Sequence, residues 1–285
     1  MSGIVKPGIG AQLNLGHPMS YGLVGCWLLN EGSGIYTKDY SVNNNNGVLA
    51  NYNDPPVATS GWNEGEHGGA LVYDTVGDHI NCGSAPELNF GNGTKDFPFS
   101  IVWHGTVTDS SNIRLLVGKE LMSNHRQYSF HILDSDVLRL TILDQSTTHQ
   151  AYRHYTFTRF GEQMFLTMTY NATGGSTAAN GIVFYENGVL KTSTAVNDAA
   201  YTAMESFTDS PLEIGSRGGI FPSTGRVSSV MIYNRVLSPL EVKFLSAFPY
   251  CMFDDFNVNY IVAAAEDGIL AAYYYRMLLA GATND

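Results

Sequence analysis

A chain of 285 residues, 44% of them hydrophobic, is long enough to bury a substantial core, and all-β sandwiches near this length are commonly single domains. Only 14% of the residues are charged, against about 25% in an average protein, while 30 glycines and 17 tyrosines mark a turn-rich β protein with polar, uncharged surfaces. The formal net charge of −11, with only 15 Lys and Arg and no basic stripe, argues against nucleic-acid binding, and no apolar run reaches the length of a membrane span.

Residues 1–20 carry Gly3, Pro7, Gly8, Gly10, Gly16 and Pro18 without a sustained period, which predicts an extended N-terminal arm. Gly8-Ile-Gly10 lacks the third glycine and the preceding strand of a phosphate loop. Strand patterns begin with Leu23-Val-Gly-Cys-Trp-Leu-Leu29 and, after the turn-rich Asn43–Gly47 stretch, resume at 69–74. Phe99, Ile101 and Trp103 alternate with Ser100, Val102 and His104, the period of a two-faced strand. Further strands fall at 113–118, 127–133, 137–143, 151–157, 163–170, 181–186 and 212–215. Asp134-Ser-Asp136 and Glu186-Asn-Gly188 read as tight turns, the second an Asn-Gly hairpin signal.

The closing strand alternates Val227, Met231 and Tyr233 with Ser228, Ile232 and Asn234 and runs straight into Ser238-Pro-Leu-Glu241. That is a Ser-x-x-Glu capping box with proline at the first helical position, and Leu237 and Val242 stand where a hydrophobic staple would pack. About a dozen short strands with one terminal helix predict an antiparallel sandwich over residues 21–249. Beyond Pro249 lie Cys251–Ala265, Glu266-Asp-Gly268 and Ile269–Leu279, an apolar extension over 250–285. It reads as a hairpin or as two short helices, and it needs either a partner or its own sandwich to cover it. Cys26, Cys82 and Cys251 are odd in number and widely spaced, which predicts buried free thiols; the first residues lack a secretory signal, so synthesis in a cytosol, or prior trimming, is expected.

Several motifs recur in a fixed order: Gly25-Cys-Trp-Leu-Leu-Asn-Glu-Gly-Ser-Gly34, Asp39-Tyr-Ser41 with Asn45-x-Gly47, Gly68-Gly-Ala-Leu-Val-Tyr-Asp74 and Gly77-Asp-His-Ile80. The Phe99-Ser-Ile-Val-Trp103 strand, Phe184-Tyr-Glu-Asn-Gly188, Leu212-Glu-Ile-Gly215 and Val230–Ser238 follow. In this order the set resembles the laminin-G-like, concanavalin-A-like lectin jelly rolls over Leu23 to Phe248. The resemblance implies an all-β, antiparallel jelly-roll β-sandwich with one short C-terminal helix and N- and C-terminal extensions. Many family members bind calcium, and the resemblance implies Glu31, Asp39 and Asn45 as ligands. Where the family often shows an acidic pair before the closing strand, this chain has Ser228-Ser229, which removes a carboxylate from an ion that takes six to eight oxygens. The alternative is that Asp39 and Asn45 cap turns.

Hydrolases of this fold carry paired carboxylates in a Glu-x-Asp-x-x-Glu pattern, which is absent here, as is a Gly-x-Ser-x-Gly elbow. His149 and His154 are read as surface residues on opposite faces, so a non-enzyme is expected. A sugar site pairs an aromatic face with amide and charged hydrogen-bonding groups on loops. Tyr52-Asn-Asp54, Trp62-Asn-Glu64, Ser123-Asn-His-Arg-Gln127 and Arg217-Gly-Gly-Ile-Phe221 offer these, making Trp62, Tyr52, Asn53, Asn124 and Arg217 the glycan-binding candidates. Trp62 is the aromatic singled out, its alternative role being a plug that packs a loop. Flanking extensions resemble those of tailed-bacteriophage structural proteins, implying a virion surface role made in the host cytoplasm, with other virion proteins, a second copy of the chain and glycans as partners. A free extracellular adhesion module is the alternative.

Overall fold

The structure, a computed structural model, describes residues 6–253 apart from 66, 75, 122–124 and 145–147. In chain order the strands are β1 (Leu23–Trp27), β2 (Tyr36–Thr37), β3 (Gly47–Ala50), β4 (Gly61–Gly65), β5 (Gly68–Tyr73) and β6 (His79–Asn81). Next come β7 (Phe99–Thr106), β8 (Arg114–Glu120), β9 (Arg126–Ile132), β10 (Val137–Leu143), β11 (Gln150–Thr156) and β12 (Met164–Tyr170). The last are β13 (Ile182–Glu186), β14 (Val189–Leu190), β15 (Thr194–Val196), β16 (Leu212–Ile214) and β17 (Gly225–Tyr233), followed by helix α1 (Pro239–Ala247).

Among the described residues these strands make two antiparallel sheets. One has eight strands in the order β14-β13-β12-β7-β17-β5-β4, with β1 also paired to β17; the other has nine, in the order β15-β11-β10-β9-β8-β16-β6-β3-β2. Strand alternation decides what each face buries. Phe99, Ile101 and Trp103 of β7, Leu166 and Met168 of β12, and Val230 and Ile232 of β17 meet Tyr128, Phe130, Leu138 and Leu140 of the nine-stranded sheet in the central core. Each such fully buried side chain contributes roughly 1.5–3 kcal/mol.

The opposite face of the eight-stranded sheet is also covered. Val102, Phe165, Tyr185, Met231 and Tyr233 lie under Val242, Phe244 and Leu245 of α1, under Tyr250 to Phe253, and under Ala11 and Met19. The two-faced pattern of β7 therefore reflects two apolar layers, and the whole strand is buried up to Gly105. The capping box forms as its spacing predicts: Ser238 Oγ accepts from the Glu241 amide, and Glu241 Oε2 accepts from the Ser238 amide at 2.8 Å. Asn187 and Gly188 both take positive φ (47° and 78°), the geometry an Asn-Gly hairpin between β13 and β14 demands.

Residues 6–20 do not extend away from the sandwich as an arm. Lys6 is buried, Asn14 N–H donates to the Met252 carbonyl, and Leu13 bridges to Phe253, so this segment is part of the layer over the eight-stranded sheet. Of the predicted C-terminal extension, residues 250–253 join the same layer; residues 254–285 lie outside the described residues. Cys26, Cys82 and Cys251 are buried free thiols.

Candidate functional site

The outer face of the nine-stranded sheet is built differently. On β9, Tyr128, Phe130 and Ile132 point into the core, which turns Ser129 and His131 outward; on β10, inward Leu138, Leu140 and Ile142 turn Arg139 and Thr141 outward. Register then assembles the site: His131 stands opposite Arg139 and Ser129 opposite Thr141, while on the far side Arg139 faces His154 and Thr141 faces Tyr152. Arg126, Glu120, Arg217 and Phe221 complete the wall of a cavity of about 160 Å³.

Glu120 divides its oxygens between two arginines, at 3.4 Å from Arg126 Nη2 and 3.0 Å from Arg217 Nη1. Arg217 also lies over the Phe221 ring, 4.8 Å from its centroid. Arg139 sits 4.5 Å from the centroid of Tyr152 and donates its Nε–H to His131 Nε2 at 3.2 Å. An Nε2 that accepts leaves the proton on Nδ1, which reaches Ser129 Oγ at 2.9 Å, so His131 is the neutral tautomer. Burial first, and then the positive charge of Arg139, Arg126 and Arg217, push its pKa down to about 3. Among the described residues, the Nε–H groups of Arg126 and Arg217 and the hydroxyl of Thr141 are buried without a hydrogen-bond partner. The arrangement is an array of fixed donors beside two aromatic rings, suited to binding oxygen atoms.

A larger hollow of about 450 Å³, over Thr106, Gln163, Gly225 and Arg226, has Arg226 as the charged residue on its wall, and that side chain is turned to the Glu64 carbonyl at 3.0 Å. With one charge and no aromatic ring it offers a ligand less than the arginine cleft does.

Of the residues expected from sequence, Arg217 is in the cleft. Trp62 is not an exposed platform: it is 5% exposed, belongs to the central core and donates Nε1–H to the Gly34 carbonyl at 2.7 Å, the plug role. Tyr52 packs on that core beside Tyr73, and the exposed Asn53 donates its backbone N–H to Ser60 Oγ, so these two stand apart from the cleft; Asn124 lies outside the described residues. Arg126, Arg139, His131 and Thr141 were missed. Their signal is the arginine, histidine and threonine set between inward apolar residues on 126–132 and 137–143, in a chain with few basic residues.

The implied calcium ligands do not fit a metal. Asp39 is fully buried and its two oxygens accept four hydrogen bonds, each 2.8 Å, from the amides of Cys26, Ser41 and Asn45 and from the Ser41 hydroxyl. Glu31 accepts from the Lys38 amide at 2.8 Å and from Thr37, while the Asn45 side chain donates to Glu87. Among the described residues no three His, Cys, Asp or Glu side chains gather to hold an ion. These residues organise the turn after β1, as their capping alternative has it. Beside Ser228, where the acidic pair is missing, Lys6 instead places its ammonium among the carbonyls of Leu28, Leu29, Gly69 and Ser228.

Comparison with known structures agrees with this architecture. The binding domain of botulinum neurotoxin serotype G superposes with a TM-score of 0.56 at 12% identity, over 79% of this chain and 50% of that one. The binding domain of Paraclostridial Mosquitocidal Protein 1 gives 0.55 at 17%, over 79% and 52%. A Trypanosoma rangeli sialidase in complex with sialic acid gives 0.51 at 17%, over 79% and 32%. The chain thus spans about half of each toxin binding domain and about a third of the sialidase, and at these identities the likeness is one of fold. No curated protein matches it in sequence. The family model of the concanavalin A-like lectin/glucanases superfamily matches residues 78–243, more than half of the chain and the span that carries both β9–β10 and the closing strand, so the chain belongs to that superfamily.

Proposed function

We propose that the protein is a non-catalytic, lectin-like carbohydrate-binding module whose binding site is the arginine-lined cleft on the outer face of the nine-stranded sheet. The observation that carries this reading is the cleft itself: fixed guanidinium donors from Arg126, Arg139 and Arg217, set beside the rings of Phe221 and Tyr152, on the sheet opposite the one that α1 covers. A sugar presents an apolar ring face and a rim of oxygens, the complement of that lining. Hydrolysis of a glycosidic bond needs two carboxylates facing each other across it. Among the described residues the cleft wall has one, Glu120, and two arginines hold it. The test is a glycan array probed with the full-length protein and with Arg217→Ala. Binding by the parent that the variant loses supports the reading, and binding that survives equally in the variant would place the sugar elsewhere.

A placement on the surface of a tailed-bacteriophage virion, with synthesis in the host cytoplasm, is the finer part of the proposal. It is favoured by the opposition of the two faces: α1, residues 250–253 and the docked N-terminal segment cover the eight-stranded sheet, and the cleft lies on the other side. A module held through its terminal segments would present the cleft outward. Light scattering of the full-length protein checks self-association; a monomeric mass would favour the free adhesion module.

A further inference from the structure

The cleft is positive in a chain whose formal net charge is −11. Three guanidinium groups on its wall oppose one carboxylate, an excess of two positive charges. The nearby Glu213, turned to His79 at 3.6 Å and to the amide of Gly218, is felt by Arg217 but lies outside the cleft wall, which leaves Arg139 and Arg126 as its uncompensated charge. Since Glu120 is shared by Arg126 and Arg217, the guanidinium of Arg139 is left facing the neutral His131 and the Tyr152 ring. Partly buried charges of one sign repel, and a site of this kind is completed by an anion.

Three further groups point to what the anion looks like. Thr141, 2% exposed, has a hydroxyl in the cleft with no partner among the described residues, and the same holds for the Nε–H groups of Arg126 and Arg217 beside it. A planar guanidinium fork matches the two oxygens of a carboxylate, and a hydroxyl supplies one more donor at its edge. The cavity, about 160 Å³, is smaller than the roughly 300 Å³ at which small-molecule pockets usually begin, so it takes one terminal group and not a row of sugar rings.

We propose that the cleft recognises the carboxylate of an acidic sugar at a glycan terminus, with Arg139 as the principal partner of the anion, Arg126 and Thr141 donating beside it, and Phe221 lying against the sugar ring. The inference rests on the reading of this cleft as the glycan site.

The experiment is calorimetric titration of the full-length protein with sialyllactose, a glucuronic-acid-terminated trisaccharide, sulfated lactose and lactose. At least one carboxylated glycan is expected to bind ten-fold or more tightly than lactose. Arg139→Gln is expected to weaken that binding ten-fold or more and Arg126→Gln several-fold; should the first variant fold poorly, the second carries the comparison. Equal affinity for lactose and the carboxylated glycans would overturn the carboxylate but leave the cleft as a sugar site if both variants lose it. Preference for the sulfated sugar alone would overturn it in favour of a sulfate ester. Binding that neither variant alters would overturn both readings.

Discussion

The ammonium of Lys6 donates to the carbonyl oxygen of Ser228, 222 residues further along the chain. The same nitrogen reaches the carbonyls of Leu28 at 2.6 Å, Leu29 at 3.4 Å and Gly69, so a side chain of the N-terminal segment ties it to the stretch just after β1, to β5 and to the closing strand, although burial lowers its pKa to about 7. Lys6→Met keeps the stem and removes the donors. With buried acceptors left unmade at about 1–3 kcal/mol each, it is expected to lower the unfolding free energy by about 3 kcal/mol in urea denaturation. A loss below about 0.5 kcal/mol would show that the carbonyls find other partners.

Asp39 is expected to act as a structural carboxylate and not as a metal ligand. Asp39→Ala strips the partner from four donors and should destabilise by about 3 kcal/mol or more, among the larger single-site effects. Adding calcium or EDTA to the parent protein should leave its melting temperature unchanged. A calcium-dependent rise that Asp39→Ala abolishes would contradict the assignment.

Trp62 separates packing from recognition. Trp62→Ala is expected to cost about 3–5 kcal/mol as a buried aromatic. Trp62→Phe, which fills most of the space and loses the bond to Gly34, should keep the parent's glycan affinity. A selective loss of glycan binding in a stably folded Trp62→Phe protein would return Trp62 to the site.

His131 sets a pH dependence whose sign follows from its burial. Its folded pKa is about 3 against 6.5 when free, so between these values the unfolded chain binds a proton that the folded one does not, and acidification from pH 6.5 toward 3 favours unfolding. His17, pushed down to about 4 by burial, adds to the slope; Asp78, raised to about 6 by burial, opposes it between 3.8 and 6. His131→Asn should therefore flatten the fall in melting temperature between pH 6.5 and 3, measured by circular dichroism. An unchanged slope would show that His131 takes up its proton without unfolding.

Most strands from 99 onward, the Asn187-Gly188 hairpin and the capped helix at 239–247 were legible because each depends on its own few residues: alternation, a turn pair, a Ser-x-x-Glu box; the short Thr194–Val196 strand was not. Short strands such as Gly47–Ala50 and Gly61–Gly65 were not singled out, since four or five residues carry too little pattern and they pair with segments further along the chain. The candidate site was legible in one member, Arg217. Trp62 misled because an aromatic among polar loop residues looks the same in sequence whether its ring faces water or the core.

The amino-acid sequence by itself determined the sandwich, its superfamily resemblance, the free thiols and the loss of an acidic pair at Ser228-Ser229, all properties written in local pattern and composition. Only the tertiary structure decided that Lys6 supplies a positive charge beside that position, that Asp39 is saturated by hydrogen bonds, and that Arg139 and His131 stand side by side with Arg126 and Arg217 across a cleft. The reason is physical. Which side chains share a sheet face follows from strand register and from which residues the core claims first, and both are set by contacts between segments distant in the chain.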